Sequence, residues 1–340
     1  VTGGRALSAG LNLLVSLSLL AILTKDDYGS YYFHYTIIVT AALLPNVAVN
    51  NGFVLQNQNS DKRMALMSGY FLCKFSVFAL VAAVTTVLWS TGVVSGLILL
   101  AIISGMLLAF FDTWMNVSRA EQNFFLFSAV QPLRNIAILV AIGVVYVAFR
   151  PMGVETVIWA FLAASVALAA VGVVNLCGKV RAAPTRESVL ELLTGSRRFF
   201  AFEISALILT RVEVWMLQYF AAGGVLSSSD IAEYGAAFTL AFVFPVISSS
   251  VVSVLVTKVV PGNTIGRGGL RKLLAASGVA FLLAMAYVVF SYQISQFVVF
   301  EDFTQLYWII PMVVLGMWMS FCTNIARVGL LSHDADKFAS

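Results

Sequence analysis

The chain is 340 residues long, 60% hydrophobic and only 11% charged, with a formal net charge of +4. Soluble domains run roughly 45–50% apolar and about 25% charged. This composition, with a mean hydropathy of +0.94, excludes a soluble enzyme on a single anchor, a disordered chain and a collagen-like fibre.

The chain therefore reads as an all-α polytopic membrane protein. About 20 apolar residues cross a bilayer core as a helix. Ten such runs follow in chain order: 6–23, 30–50, 66–90, 93–117, 128–149, 153–176, 199–220, 231–256, 271–293 and 306–328. Runs such as LILLAIISGMLLAFF are apolar all round, which argues against the alternating strands of a membrane β-barrel. The sequence begins with Val1 and stops at Ser340 just after an apolar run, so it reads as a fragment.

Lysine and arginine set the expected orientation. With the N-terminus in the cytoplasm, sixteen of the twenty basic residues fall on cytoplasmic sides or helix ends. Lys25 and Arg150 fall outside, and Lys74 and Arg211 lie within spans, where Lys74 and Asp112 are near enough to the cytoplasmic surface to snorkel. The external loops are acidic, with Asp26, Asp27, Glu155, Asp230, Glu233, Glu301 and Asp302. Segment 177–198 is the longest polar connection. It reads as a cytoplasmic linker, either plain or holding a short surface helix through Val189, Leu190, Leu192 and Leu193. It divides a six-helix lobe, 1–176, from four helices of an incomplete second lobe, 199–340. Residues 257–270 read as a flexible loop from their Gly and Pro content. A weak echo, AALLPNVAVNNGFVLQ around Pro45 and AFVFPVISSSVVSVLV around Pro245, supports the division; in transporters such repeats flank the site.

Other chemistries are poorly served. Cys73, Cys177 and Cys322 form no CxxC pair, and His34 and His333 are far apart, so neither a disulfide framework, a metal site nor a cofactor is expected. There is no phosphate loop, HExxH or GxSxG motif. Basic residues sit between apolar runs and form no nucleic-acid patch.

Ionisable groups within a span are functional candidates by default. In 199–220, Glu203, Thr210, Arg211, Glu213 and Gln218 fall in one sector about 160° wide at about 100° per residue. Arg211 lies near the midplane and needs a partner from another helix, from water or from an anionic ligand. Arg5, Ser8, Asn12 and Ser16 share a face of the first span, which suits either a polar lining or ordinary close packing. Gln131, Arg134 and Asn135 form a patch at the start of the fifth span, where Arg134 either snorkels or meets an anionic headgroup. His34 reads as a packed, hydrogen-bonded histidine or a proton-coupling group. Ser248, Ser249, Ser250 and Ser253 suit close packing or a cavity wall.

The opening GGRALSAGLNLLVSLSLLAILTKDDYGSYYF, with LTKDDYG at 23–29, resembles the first span and loop of the polysaccharide-exporter branch of the MOP superfamily. This branch holds the Wzx-type O-antigen and exopolysaccharide flippases, relatives of MATE and MurJ. Segment 118–140 resembles their turn between spans four and five, and 211–238 the start of their second half. The resemblance implies a MATE-like two-lobe architecture in a bacterial inner membrane. It implies a flippase that moves undecaprenyl-pyrophosphate-linked oligosaccharide to the outer leaflet by alternating access. Membrane lipids and polysaccharide polymerase or export machinery would be its partners. On this reading Arg211, Arg5 and Arg134 meet the pyrophosphate, and Asn12, Thr210 and Gln218 meet sugars. Glu203, with Glu213, would serve a coupling ion. A MATE-type cation-coupled drug or metabolite antiporter remains the alternative, favoured by an acidic cavity. A membrane enzyme is disfavoured by short external loops without a His/Asp/Arg cluster, and an assembly subunit stays open.

Overall fold

The computed structural model describes residues 2–46, 49–59, 63–179, 183–241, 267–298 and 303–338. Among these there is no strand. The helices are α1 (Thr2–Ile22), α2 (Lys25–Leu43), α3 (Val49–Asn59), α4 (Arg63–Ser90), α5 (Gly96–Ala120), α6 (Phe124–Ala148), α7 (Val154–Cys177), α8 (Arg186–Ala222), α9 (Ser228–Leu240), α10 (Arg267–Val289), α11 (Ser291–Val298) and α12 (Leu306–Phe338). Four stretches, Met64–Ser90, Gly96–Ala120, Phe124–Ala148 and Val154–Cys177, are long and apolar enough to cross a membrane. They match the third to sixth expected spans. Helix α4 carries Leu72, Phe75, Leu80, Val84 and Val87 outward, which suits a lipid-facing surface and no aqueous one. The chain is an all-α membrane protein.

Two compact units emerge: Ile22–Ile231, and Gly4–Ala21 together with Ala232–Ser340. This grouping differs from the expected lobes 1–176 and 199–340. Helix α1 falls with the C-terminal part, and α8 falls with α2–α7.

In the first unit α5 is central, with α2, α3, α6 and α7 around it. Small residues set the approach. A Cβ on Gly105 would lie 2.2 Å from the Ile38 carbonyl oxygen and 2.7 Å from the Ala41 Cβ, so α5 and α2 touch backbone to backbone. Tyr31 and Tyr35 of α2 meet Phe161 of α7 ring to ring at 6.0 and 5.9 Å. His34 is buried, and its Nδ1–H donates to the Ser30 carbonyl at 2.7 Å, which fits the packed, hydrogen-bonded reading.

Two expectations need correction. The second span, 30–50, is not one helix. It ends at Leu43, passes through a 3-10 turn over Leu44–Asn46, and resumes as α3 at Val49. Pro45 is the cause, since it lacks an N–H and its ring opposes a continuing helix. In segment 177–198 the helical alternative holds from Arg186 on, but as the start of a much longer helix. Thr185 and Ser188 cap each other's backbone at 3.2 Å, and α8 then runs without a break for 37 residues into the expected seventh span. Its first turns lie against α3 and α4. A Cβ on Gly52 would meet the Ser196 Oγ at 2.1 Å, and Gln56 Nε2 donates to the Glu191 carbonyl at 2.9 Å. Leu192 is buried, whereas Leu190 and Leu193 stay exposed.

Asp230 lies next to the last residue of the first unit. Its carboxylate accepts from the Ser227 N–H and Oγ, both at 2.8 Å. Those hydrogen bonds, with Lys25 nearby, hold its carboxyl below the usual carboxylate range against a small opposing effect of burial. A depressed folded pKa stabilises the first turn of α9 above the unfolded value near 3.8 and is lost as pH falls through the lower folded value. Hydrogen exchange at the amides of 228–231 should therefore accelerate below that value, and Asp230→Asn should remove this pH dependence.

In the second unit α12 packs on α10 and α11, with Phe281 and Trp318 in ring contact at 5.2 Å. Glu233, expected in an external loop, is instead buried, and its Oε2 accepts from the Gln305 N–H at 2.8 Å. A carboxylate is favoured there by the helix dipole at the start of α12. The expected ninth span is interrupted between α10 and α11, where Ser291 Oγ donates to the Val288 carbonyl at 3.0 Å. Residues 267–270, expected in a loop, are the first turn of α10. Pro245 and the four serines of 248–253 lie outside the described residues.

Candidate functional site

The interruption at Pro45 gathers the polar chemistry of the first unit. Asn46 is buried, and its Nδ2 donates back to the Ala42 carbonyl at 2.7 Å. This leaves Oδ1 facing α4. There the Lys74 ammonium donates to Asn46 Oδ1 at 2.6 Å and to Thr113 Oγ1 of α5 at 2.8 Å. It also sits 4.6 Å from the centre of the Tyr70 ring, a cation–π distance. Lys74 is only 5% exposed, so it does not snorkel; the side chain turns inward to oxygen acceptors. Tyr70 in turn stacks on Phe53 at 4.2 Å and donates its hydroxyl to Asn50 Oδ1 at 2.6 Å. Helices α4 and α5 and the turn are thus joined through one ammonium group, and Tyr70 extends the join to α3.

Asp112 stands beside Thr113 on α5. Its Oδ1 lies 3.9 Å from Arg134 Nη1 of α6, with side chains 14% and 25% exposed. Asp112 therefore pairs across helices as well, and Arg134 meets a carboxylate. The cluster holds two cationic side chains and one anionic one. A niche of about 10 Å³ adjoins Lys74, walled by Pro45, Phe78, Met106, Phe110 and Thr113, roughly the room one water needs.

A larger cavity of about 700 Å³ opens on the other side of the interruption, between Leu44, Pro45 and Val49, α4 and the first half of α8. Ser76, Thr194, Ser196 and Arg197 are its polar lining.

The expected site residues are divided between the two units. Arg134, Arg211, Gln218, Glu203 and Glu213 belong to the first unit, whereas Arg5 and Asn12 fall in the second. On α8, Leu207, Arg211, Val214 and Gln218 follow i, i+4, i+7, i+11 spacing. Leu207 and Val214 are buried, and Arg211 and Gln218 are half-buried. Arg211 therefore lies on the packed face of α8, and its Nε has no hydrogen-bond partner among the described residues. Glu203 is half-buried and Glu213 exposed. The side chains of Arg5 and Thr210 lie outside the described residues, and Asn12 is half-buried. Helix α8 packs on α2, α3 and α4, while α6 packs on α5 and α7. Arg134 is thus paired on α5 and is not brought to Arg211.

Sequence reasoning missed Lys74, Asn46 and Thr113 as a group. The available signal was a lysine eleven residues inside a long apolar helix, with an asparagine next to the proline of another. Among the described residues no group of three or more His, Cys, Asp or Glu side chains is placed to hold a metal ion. Comparison with family models, with curated proteins and with solved structures finds no match to this chain.

Proposed function

We propose that the protein is a membrane carrier for an anionic, lipid-linked oligosaccharide, flipping an undecaprenyl-pyrophosphate-linked glycan between leaflets. The observation that carries this reading is the Lys74–Asp112–Arg134 cluster at a broken helix. Ionised side chains within apolar helices are costly and mark ligand or ion pathways. Interrupted helices are where transporters build their sites, because irregular backbone is tolerated only when buried or lining a cavity. Two cations against one carboxylate favour an anionic cargo over a cationic one. The resemblance of 3–33, 118–140 and 211–238 to polysaccharide exporters supplies the cargo class. Arg211 and Gln218, on the inward stripe of α8, then stand as further contacts for phosphate and sugar, with Glu203 as the coupling carboxylate.

Reconstitution in proteoliposomes with a labelled lipid-linked oligosaccharide tests this. Wild-type protein should move label across the bilayer, and Arg211→Ala and Glu203→Gln should each slow it about tenfold or more. Unchanged flipping in both variants would remove α8 from the mechanism. Deletion of the gene should accumulate lipid-linked repeat units on the cytoplasmic face. Unchanged glycan with altered drug sensitivity would instead support the antiporter.

A further inference from the structure

We propose that the cavity between the Pro45 interruption, α4 and α8 is a binding site for one anionic phospholipid of the surrounding bilayer. The phosphate would be held by Arg197 and a chain laid along the apolar wall. Nine of the thirteen lining residues are apolar, and none is a carboxylate. Such a surface cannot satisfy the many hydroxyls of a glycan, but it suits a molecule with one anionic group and a long apolar body. The groove face of α8 is built for this division. Thr194, Ser196 and Arg197 form its polar middle, with Val189 and Leu193 before them and Phe200 after. Leu72 and Val77 of α4 and Leu44 of the interrupted helix complete the apolar wall, with Ser76 among them.

The charge of the groove comes from Arg197 alone, since Ser196 turns its Oγ against Gly52 of α3. Arginine matches phosphate oxygens through paired N–H donors. The volume of about 700 Å³ accommodates a headgroup and chain segment, far more than a lone phosphate fills. This assignment does not rest on the transport reading, because occupancy of the groove requires no movement of cargo.

The test is native mass spectrometry of the full chain in detergent, titrated with phosphatidylglycerol, phosphatidylcholine or inorganic phosphate. Wild-type protein should retain one phosphatidylglycerol and prefer it to phosphatidylcholine, and equimolar phosphate should not displace it. Arg197→Ala should weaken retention about tenfold or more, as expected for a lost charge-assisted contact, and Arg197→Lys should restore part of it. Val77→Trp, which fills the apolar wall, should weaken it as well. Each variant is compared at matched elution volume and helicity, so misfolded protein is recognised. Equal retention by wild type and Arg197→Ala overturns the proposal. So does full displacement by inorganic phosphate, or tighter occupancy of the same groove by the lipid-linked oligosaccharide. Flipping measured in parallel separates this outcome from the fate of the carrier reading.

Discussion

Replacing Lys74 by alanine should destabilise the protein by about 3 kcal/mol or more, the scale for removing one member of a buried charged network. The loss has three parts. Asn46 Oδ1 and Thr113 Oγ1 lose their shared donor, Asp112 keeps only Arg134 as a cationic neighbour, and the stem leaves a gap beside Phe78 and Met106. Lys74→Met keeps most of the stem and should recover part of the stability, because only the polar contacts go. Thermal unfolding in detergent reads both variants against Asn175→Ala, an exposed change whose side chain only back-bonds to Val171. The carrier reading adds a sharper demand: Lys74→Met should fold and yet fail to flip. A Lys74→Met protein that flips at the wild-type rate would reduce the cluster to a packing device.

Gly105→Ala should be nearly as damaging from a single added methyl group. The new Cβ would meet the Ile38 carbonyl oxygen at 2.2 Å, the Ala41 Cβ at 2.7 Å and the Ala42 nitrogen at 3.0 Å. Two of these are backbone atoms of α2 and cannot rotate aside, so the helices must separate. Overpacking of this kind costs about 1–3 kcal/mol, and the backbone targets put Gly105 near the upper end. Gly143→Ala on α6 is the matched control, since a Cβ there meets nothing within 4 Å. It should sit within about 1 kcal/mol of wild type, on the stabilising side, because alanine is the better helix former. Unfolding in a denaturing detergent series gives both values. Equal midpoints for the two alanines would mean that α2 and α5 do not approach as described.

What the sequence made legible follows from what each segment needs. Helices α4 to α7 are long and strongly apolar overall, so length and hydropathy alone located them within a few residues. The interruption at Pro45 was visible as a residue but not as a break. A proline can merely kink an apolar helix, and only Asn46 turning back to Ala42 fixes the turn here. Lys74 was read by its distance from the end of a span, when its fate is decided by the oxygens of two other elements. The polar stretch GSRR made α8 look like a linker, whereas Gly195 and Ser196 are small because α3 lies against them. The stripe through Arg211 was recognisable from helical spacing. Its missing Nε partner was not, because that depends on which helices neighbour α8. Which helices cluster with α1 depends on contacts between segments far apart in sequence, and no local pattern encodes it.

Helix α8 differs mechanically from the α2–α3 pair beside it. From Arg197 to Ala222 it contains neither proline nor glycine, a stiff shaft about 39 Å long at 1.5 Å per residue. At its near end, Gly195 and Ser196 sit tight against Gln56 and Gly52, which makes that contact a fulcrum. Every 5° of tilt about it would correspond to roughly 3 Å at the far end of the shaft. A stiff shaft beside a helix broken at Pro45 sets two elements of unlike rigidity side by side within this unit.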